Sequence, residues 1–252
     1  VSGRVEGRTV TAAEIDHLER IADRAWPAAE RSSLGSWILN ASTGWSGRLN
    51  ACWPLGEPPL PLAEAVDAVE AWYGARGLPT VFKPAGPAPG LETELTARGY
   101  RPRTPTLMTV ADIPEVSRPA RVRVADTVGE AFERVFLGTQ DNAADAAERM
   151  GAFRRIGRPR VFASIEVDGA PVAIGGSAIE GDWAGVFGMR TLAAHRRQGL
   201  AQDIVAALMA GARKAGATRA YLQVEAPNAP AIALYERFGF KTAFAYSYWD
   251  RP

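Results

Sequence analysis

Thiols and imidazoles are almost missing from this chain. Its 252 residues include one cysteine, Cys52, and two histidines, His17 and His195. One thiol excludes an intrachain disulfide and a thiolate zinc cluster, and two imidazoles argue against a His-based metal site. No run of about 18 apolar residues is present, so no segment reads as a membrane span. The stretch Val1–Val10 is polar and lacks the apolar core of a signal peptide. A reducing, cytoplasmic compartment fits these absences best. An excess of one charge is missing too: 29 Lys+Arg against 28 Asp+Glu leave +1. That balance gives no basic face of the kind a dedicated nucleic-acid binder needs. What is present is a globular composition, 47% hydrophobic and 23% charged. The length suits one large domain or two small ones.

The first break falls at 113–120, Ile-Pro-Glu-Val-Ser-Arg-Pro-Ala, a proline-bearing connection. It divides the chain into residues 1–115 and 120–252. In the second part, Val122 and Val124 open a short strand, and Thr127–Leu137 and Ala143–Arg155 pattern as helices. Val161–Val167, Val172–Ile179 and Trp183–Thr191 pattern as three antiparallel strands. Asp168-Gly169 and Gly181-Asp182 supply the turns, because these residues tolerate positive φ. Gly185 and Gly188 inside the third strand mark a bulge or a close backbone approach. Leu200, Ile204, Leu208 and Ala212 define a helical stripe from about Gly199 to Ala215, stopped by Gly216. Ala220–Val224 is a strand, Asn228 caps a helix that ends at Gly239, and Phe240–Trp249 is a last strand. The order predicts an α/β layer of helices on a mixed, mostly antiparallel sheet.

The first part gives a thinner version of this order. Thr11 and Glu14 form a capping box for a helix to about Glu30. Leu34–Leu39, Arg48–Trp53, Thr80–Lys83 and Pro105–Val110 are candidate strands. Leu62–Ala75 and Gly90–Ala97 are candidate helices. Ala97-Arg98-Gly99-Tyr100-Arg101 aligns with Arg237-Phe238-Gly239-Phe240-Lys241 at an offset of 239 − 99 = 140. The same offset lays the Leu62 helix on the one running through Gln202, which suggests two tandem copies of one fold.

The sharpest chemical signal is Arg196-Arg197-Gln198-Gly199-Leu200-Ala201, placed after a strand and at the start of an amphipathic helix. A helix start presents unpaired N–H groups and partial positive charge. Gly199 lets a ligand approach the backbone, and the two arginines add charged donors. This describes a pyrophosphate cradle. It is neither the three-glycine dinucleotide fingerprint nor a Walker A loop. The plainer alternative is a basic helix start that happens to contain a glycine.

Arg196, Gly199 and Ala201 resemble the acetyl-CoA signature of the GNAT superfamily of N-acetyltransferases. Asn228 and Leu234-Tyr235-Glu236-Arg237-Phe238-Gly239-Phe240 resemble that family's ending. The likeness is strong over about 120–252, while 1–115 resembles a degenerate copy. It implies that the backbone of Met189, Arg190 and Thr191 holds the pantetheine arm and polarises the thioester carbonyl. It implies that Arg196, Arg197, Gln198, Gly199, Leu200, Ala201 and Gln202 receive the pyrophosphate and that Asn228 touches the cofactor. Tyr235 would protonate the departing thiolate, since a phenol of ordinary pKa ~10 keeps its proton at neutral pH. The plainer role for Tyr235 is packing.

Some relatives carry a glutamate early in the strand before the signature. Here that stretch is Trp183-Ala184-Gly185-Val186-Phe187, without a carboxylate. The general base is therefore open among Glu225, Asp182, Glu166 and a water chain. At the 140 offset the cradle falls on Gly56-Glu57-Pro58-Pro59-Leu60-Pro61, and Tyr235 falls on Leu95. Three prolines remove three N–H donors, and leucine has no proton to give. The first part thus reads as non-catalytic, with Trp26, Trp37, Trp45, Trp53 and Trp72 mostly in a core. Trp45-Ser46-Gly47-Arg48 is its best candidate wall for an acceptor. Cys52 reads as a buried small hydrophobe.

The function implied is acetyl transfer from acetyl-CoA, without metal, to an amine-bearing small molecule or protein by direct attack in a ternary complex. An alternative is a non-catalytic acyl-CoA sensor or scaffold on the same fold, and a third is acyl transfer to an alcohol. Neither nucleic acid nor membrane is an expected partner.

Overall fold

The computed structural model describes residues 4–5, 8–103 and 105–251, with side chains described from Val10 onward. Residues 1–3 and 6–7 of the polar segment 1–10 therefore lie outside the described residues. The chain divides into two compact units. The first comprises 1–108, 225–227 and 242–252, and the second comprises 109–224 and 228–241. Residues 113–120, without regular secondary structure up to a turn at Ala120, lie inside the second unit.

The first unit begins with the paired short strands β1 (Arg4–Val5) and β2 (Arg8–Thr9). Helix α1 (Ala12–Ala25) follows. Its capping box forms as the sequence predicts: the Thr11 N–H donates to Glu14 Oε2 at 2.8 Å, and the Glu14 N–H donates to Thr11 Oγ1 at 3.3 Å. The helix stops at Ala25 rather than Glu30, because Pro27 removes a donor and disfavours helical geometry before it. The expected single strand 34–39 is instead a hairpin, β3 (Glu30–Leu34) and β4 (Trp37–Ala41). Gly35, at φ +59°, makes its turn, and a Cβ there would meet the Pro59 ring at 2.8 Å. The expected strand 48–53 shortens to β5 (Cys52–Trp53) after a 3₁₀ turn at Gly47–Leu49.

Helices α2 (Leu62–Gly74) and α3 (Leu91–Ala97) form close to the predicted bounds, 62–75 and 90–97. Thr80–Lys83 does not form a strand; Phe82 alone bridges Cys52 and Trp249. Strand β6 (Arg101–Pro102) comes next, and β7 (Thr106–Asp112) crosses between the units. The core of the first unit joins Trp37, Leu39, Cys52, Val66, Val69, Tyr73, Phe82, Leu91, Leu95 and Tyr100. Burial of Cys52 in this cluster agrees with its reading as a small hydrophobe.

This core also encloses charge. Lys83 Nζ donates to Glu19 Oε2, and neither side chain has exposed surface. The ammonium lies 3.7 Å from the Trp53 ring centroid and 4.0 Å from that of Tyr246. Desolvation outweighs mutual attraction for both ions, raising the Glu19 carboxyl and lowering the Lys83 ammonium to about 8.

The second unit is built on strands in the order β12-β11-β10-β9-β8. They are β8 (Val122–Ala125), β9 (Arg160–Val167), β10 (Ala170–Glu180), β11 (Trp183–Thr191) and β12 (Arg219–Glu225). The first four are antiparallel, and β12 is parallel to β11. Asp168 and Gly169, both at positive φ, make the predicted tight turn. Helices α4 (Glu130–Leu137) and α5 (Ala143–Arg155) cover one face through Phe132, Phe136, Phe153, Phe162 and Phe187. Helix α6 (Leu200–Lys214) covers the other. A Cβ at Gly175 would meet Ile204 at 2.6 Å, and one at Gly211 would meet Val161 at 2.9 Å, so glycines let α6 lie close to the sheet.

Helix α7 (Ala229–Glu236) completes the second unit. Its capping residue is Asn228, whose Oδ1 accepts from the Ala231 N–H at 3.3 Å. The chain then rejoins the first unit. The expected strand 240–249 is two pieces, β13 (Lys241–Tyr246) and β14 (Trp249–Asp250), and β14 pairs with β6. The result is an α/β fold, a mixed sheet flanked by helices.

Candidate active site

The sheet of the second unit is interrupted where the sequence places its glycines. On β10 and β11, Ile174 pairs with Arg190 and Gly176 with Phe187. Gly188 and Met189 therefore oppose Gly175 alone, a β-bulge. Gly188 sits at φ +63°, and a Cβ would meet the Phe153 ring at 2.8 Å. Only glycine satisfies both conditions. The parallel pairing of β11 with β12 covers Trp183–Val186 against Arg219–Leu222 and goes no further among the described residues. Beyond Val186, β11 carries Met189, Arg190 and Thr191, all half-buried, without β12 as a partner.

The polypeptide next passes through a 3₁₀ turn at Ala193–His195 and enters α6 through Arg196–Gly199. Arg197 (φ +62°) and Gly199 (φ +76°) both adopt left-handed backbone, which is uncommon for arginine. The N–H groups of Arg197, Gln198, Gly199, Leu200, Ala201 and Gln202 donate to no described residue. The first helical bond is from the Asp203 N–H to the Gly199 carbonyl at 3.1 Å. A helix normally leaves its first few donors open; the left-handed residues here extend the run to six. A Cβ on Gly199 would have one neighbour within 4 Å, Arg121 Nη2 at 3.7 Å, so the cradle is open. Leu200 is buried, which leaves its N–H as its only contribution. Arg196 and Arg197 are exposed, with Arg196 Nε donating to the Thr191 carbonyl at 3.4 Å.

Tyr235, on α7, packs edge-on against Phe240 with ring centroids 5.9 Å apart. Its hydroxyl has no hydrogen-bond partner among the described residues. Burial pushes the phenol up to about 12 against the opposing positive charge of Arg190. The Arg190 guanidinium donates through Nε and Nη2 to the Gln140 amide oxygen at 3.1 Å each and through Nη1 to the Met189 carbonyl at 2.8 Å. It also lies 5.4 Å from the Phe136 ring. Sequence reading offered no sign of Gln140, because 50 residues separate it from Arg190. Asn228 spends its side-chain oxygen on capping α7.

The candidate bases are dispersed. Asp182 receives Arg219 Nε at 3.0 Å and lies in the turn just before β11, at the end opposite Thr191, about 25–30 Å along the strand. Glu166 accepts from Arg123 at 3.1 Å. Glu225 is exposed at the end of β12. Among the described residues no three His, Cys, Asp or Glu side chains are grouped to hold a metal, and no helix is long and apolar enough to cross a membrane.

A family profile described as "Probable histone acetyltransferase Rv0428c C-terminal" matches residues 12–249. The chain belongs to that acetyltransferase family. It is an N-acetyltransferase of GNAT type. "Uncharacterized N-acetyltransferase YobR" of Bacillus subtilis (strain 168) is 24% identical over 247 residues, covering 93% of this chain and 98% of the relative. The solved structure "GCN5-related N-acetyltransferase from Kribbella flavida" superposes with a TM-score of 0.70 at 20% identity, over 94% and 95% of the two chains. "Tandem GNAT protein from the clavulanic acid biosynthesis pathway (without AcCoA)" superposes at 0.57 with 14% identity, over 96% of this chain and 88% of the other. These likenesses establish the GNAT fold for this N-acetyltransferase.

Proposed function

We propose that the chain moves an acetyl group from acetyl-CoA to an amine, with the donor bound in the second unit. The observation that carries this reading is the run of six open N–H groups at 197–202 around an unobstructed Gly199. Such a run, with Arg196 and Arg197 beside it, suits a pyrophosphate. Met189, Arg190 and Thr191, where β11 has left β12, would offer backbone groups to the pantetheine arm and the thioester oxygen. The amine nitrogen attacks the thioester carbon, the carbon–sulfur bond breaks, and the amine proton leaves to a base or water.

Tyr235 would serve the departing sulfur. Its free hydroxyl can donate, but a phenol near 12 faces a thiol of pKa ~8.5. Full proton transfer is therefore uphill, and the hydroxyl acts chiefly as a hydrogen-bond donor to the developing thiolate. Glu225 remains a candidate base; Asp182 and Glu166 already hold arginines. The first unit fits a second, degenerate copy without a cradle, a reading supported by the likeness to a protein titled tandem. Pro58, Pro59 and Pro61 precede its α2, and Leu95 is buried in its core.

Calorimetry with acetyl-CoA, followed by thiol release with a broad panel of amines, tests the proposal. One site per chain and acceptor-dependent thiol support it. Tight binding without thiol release from any amine supports the sensor alternative instead.

A further inference from the structure

Arg121 stands just before β8, 78 residues ahead of Gly199 in sequence, yet its guanidinium lies against the cradle. Its Nε donates to Asp203 Oδ2 at 2.5 Å, and its Nη2 reaches the Gln198 carbonyl at 3.5 Å. The same Nη2 is the neighbour 3.7 Å from a Cβ built on Gly199. Two consequences follow from elementary chemistry. Asp203 is the acidic residue of the first turn of α6, where its charge opposes an incoming anion. Arg121 cancels that charge. In addition, a trans peptide points its C=O and N–H in opposite directions. A donor held on the Gln198 carbonyl therefore turns the Gly199 N–H away from Arg121 and toward the open side of the loop.

We propose that Arg121 is a positioning residue for the cofactor loop, neutralising Asp203 and fixing the Gln198–Gly199 peptide so that the 197–202 donors face a pyrophosphate. This rests on the reading that the loop receives acetyl-CoA. Arg121 acts through Asp203 and the peptide rather than by touching the phosphate.

The test is acetyl-CoA binding by calorimetry on the full chain, for wild type, Arg121→Ala, Arg121→Lys, Asp203→Asn and the double variant Arg121→Ala/Asp203→Asn. Losing the arginine should weaken binding about tenfold, within the range of charge effects at a helix start. Lysine should recover part of the loss. Asp203→Asn should bind at least as tightly as wild type, and the double variant should recover most of the affinity. The gap between wild type and Arg121→Ala should narrow as salt is raised, because the pair is partly exposed. In turnover, KM for acetyl-CoA should rise while kcat holds. An Arg121→Ala chain that binds like wild type overturns the inference and leaves the cofactor reading standing. Failure of Asp203→Asn to rescue overturns it in favour of direct phosphate contact. Absence of acetyl-CoA binding in wild type overturns both.

Discussion

The entrances to α2 and α6 make an instructive pair. Both are amphipathic helices that follow a strand and a loop, one in each unit. Before α2 the chain reads Pro58-Pro59-Leu60-Pro61, and the first bond, Ala65 N–H to the Pro61 carbonyl, leaves three helical donors open after a residue that has none. Before α6 it reads Arg196-Arg197-Gln198-Gly199, and six consecutive donors stay open. Proline fixes φ and deletes donors, whereas two left-handed residues add donors to the helix start. The units also treat charge differently. The first shuts Lys83 and Glu19 inside an aromatic box; the second leaves Arg196 and Arg197 in solvent.

The largest expected effect attacks the enclosed pair. Lys83→Met strands a buried carboxylate and should cost about 3–5 kcal/mol, while Glu19→Gln/Lys83→Met should regain most of it. Six of the seven tryptophans belong to the first unit, so urea unfolding followed by tryptophan fluorescence reads the loss there. An equally stable single variant would show that the pair contributes nothing. The pair also sets a pH dependence. With its native pKa lowered to about 8, Lys83 sheds its proton in the folded state before the unfolded chain does at ~10.4. The unfolded state then binds more protons, so wild-type stability should rise relative to Lys83→Met between about pH 8 and 10.5. A flat difference across that window would mean that the ammonium is not desolvated as described.

The second expectation separates the helix entrances. Gly199→Glu places a carboxylate in the cradle and forces a side chain onto φ +76°. Acetyl-CoA affinity should fall at least about a hundredfold, or ~2.7 kcal/mol, with the far-UV dichroism retained. Pro61→Ala should leave acetyl-CoA affinity unchanged. Two equivalent sites per chain by calorimetry would overturn the contrast.

Tyr235→Phe comes next. Affinity for acetyl-CoA should persist and kcat should fall toward the lower end of the 10²–10⁴ range, about a hundredfold. Wild-type turnover in this variant would make the tyrosine a packing residue. The smallest effect is Thr11→Ala, which removes half of the capping box of α1 and should cost about 1 kcal/mol. It should alter the tryptophan-detected transition and leave acetyl-CoA affinity alone.

What could be read in advance was local. Asp168-Gly169, the Thr11–Glu14 box, the stripe of α6 and the glycine before it all act within a few residues, so sequence displays them. Gly35 is equally local, but the apolar residues on both sides of it masked the turn. The partners that shape the site, and those of the enclosed ion pair in the other unit, are distant. Arg121 meets Gln198 from 77 residues away, Gln140 meets Arg190 from 50, and Lys83 meets Glu19 from 64. Nothing in those residue types announces a partner; the sheet and its crossovers bring them together. The break in pairing after Val186 is likewise a property of two strands, though Gly188 signals it from one side.

The return of the chain to the first unit has a consequence for biosynthesis. The Trp249 carbonyl accepts from the Phe82 N–H at 2.9 Å, and the Phe82 carbonyl accepts from the Trp249 N–H at 2.8 Å. The two are 249 − 82 = 167 positions apart in sequence. At about 5–20 residues per second, roughly 8–33 s of translation separate Phe82 from the strand it bonds. By the end of that interval the second unit has been synthesised through Lys241, while the first still lacks a strand. The half made first is therefore the half completed last, since its closing strand is among the last residues of this sequence to be made.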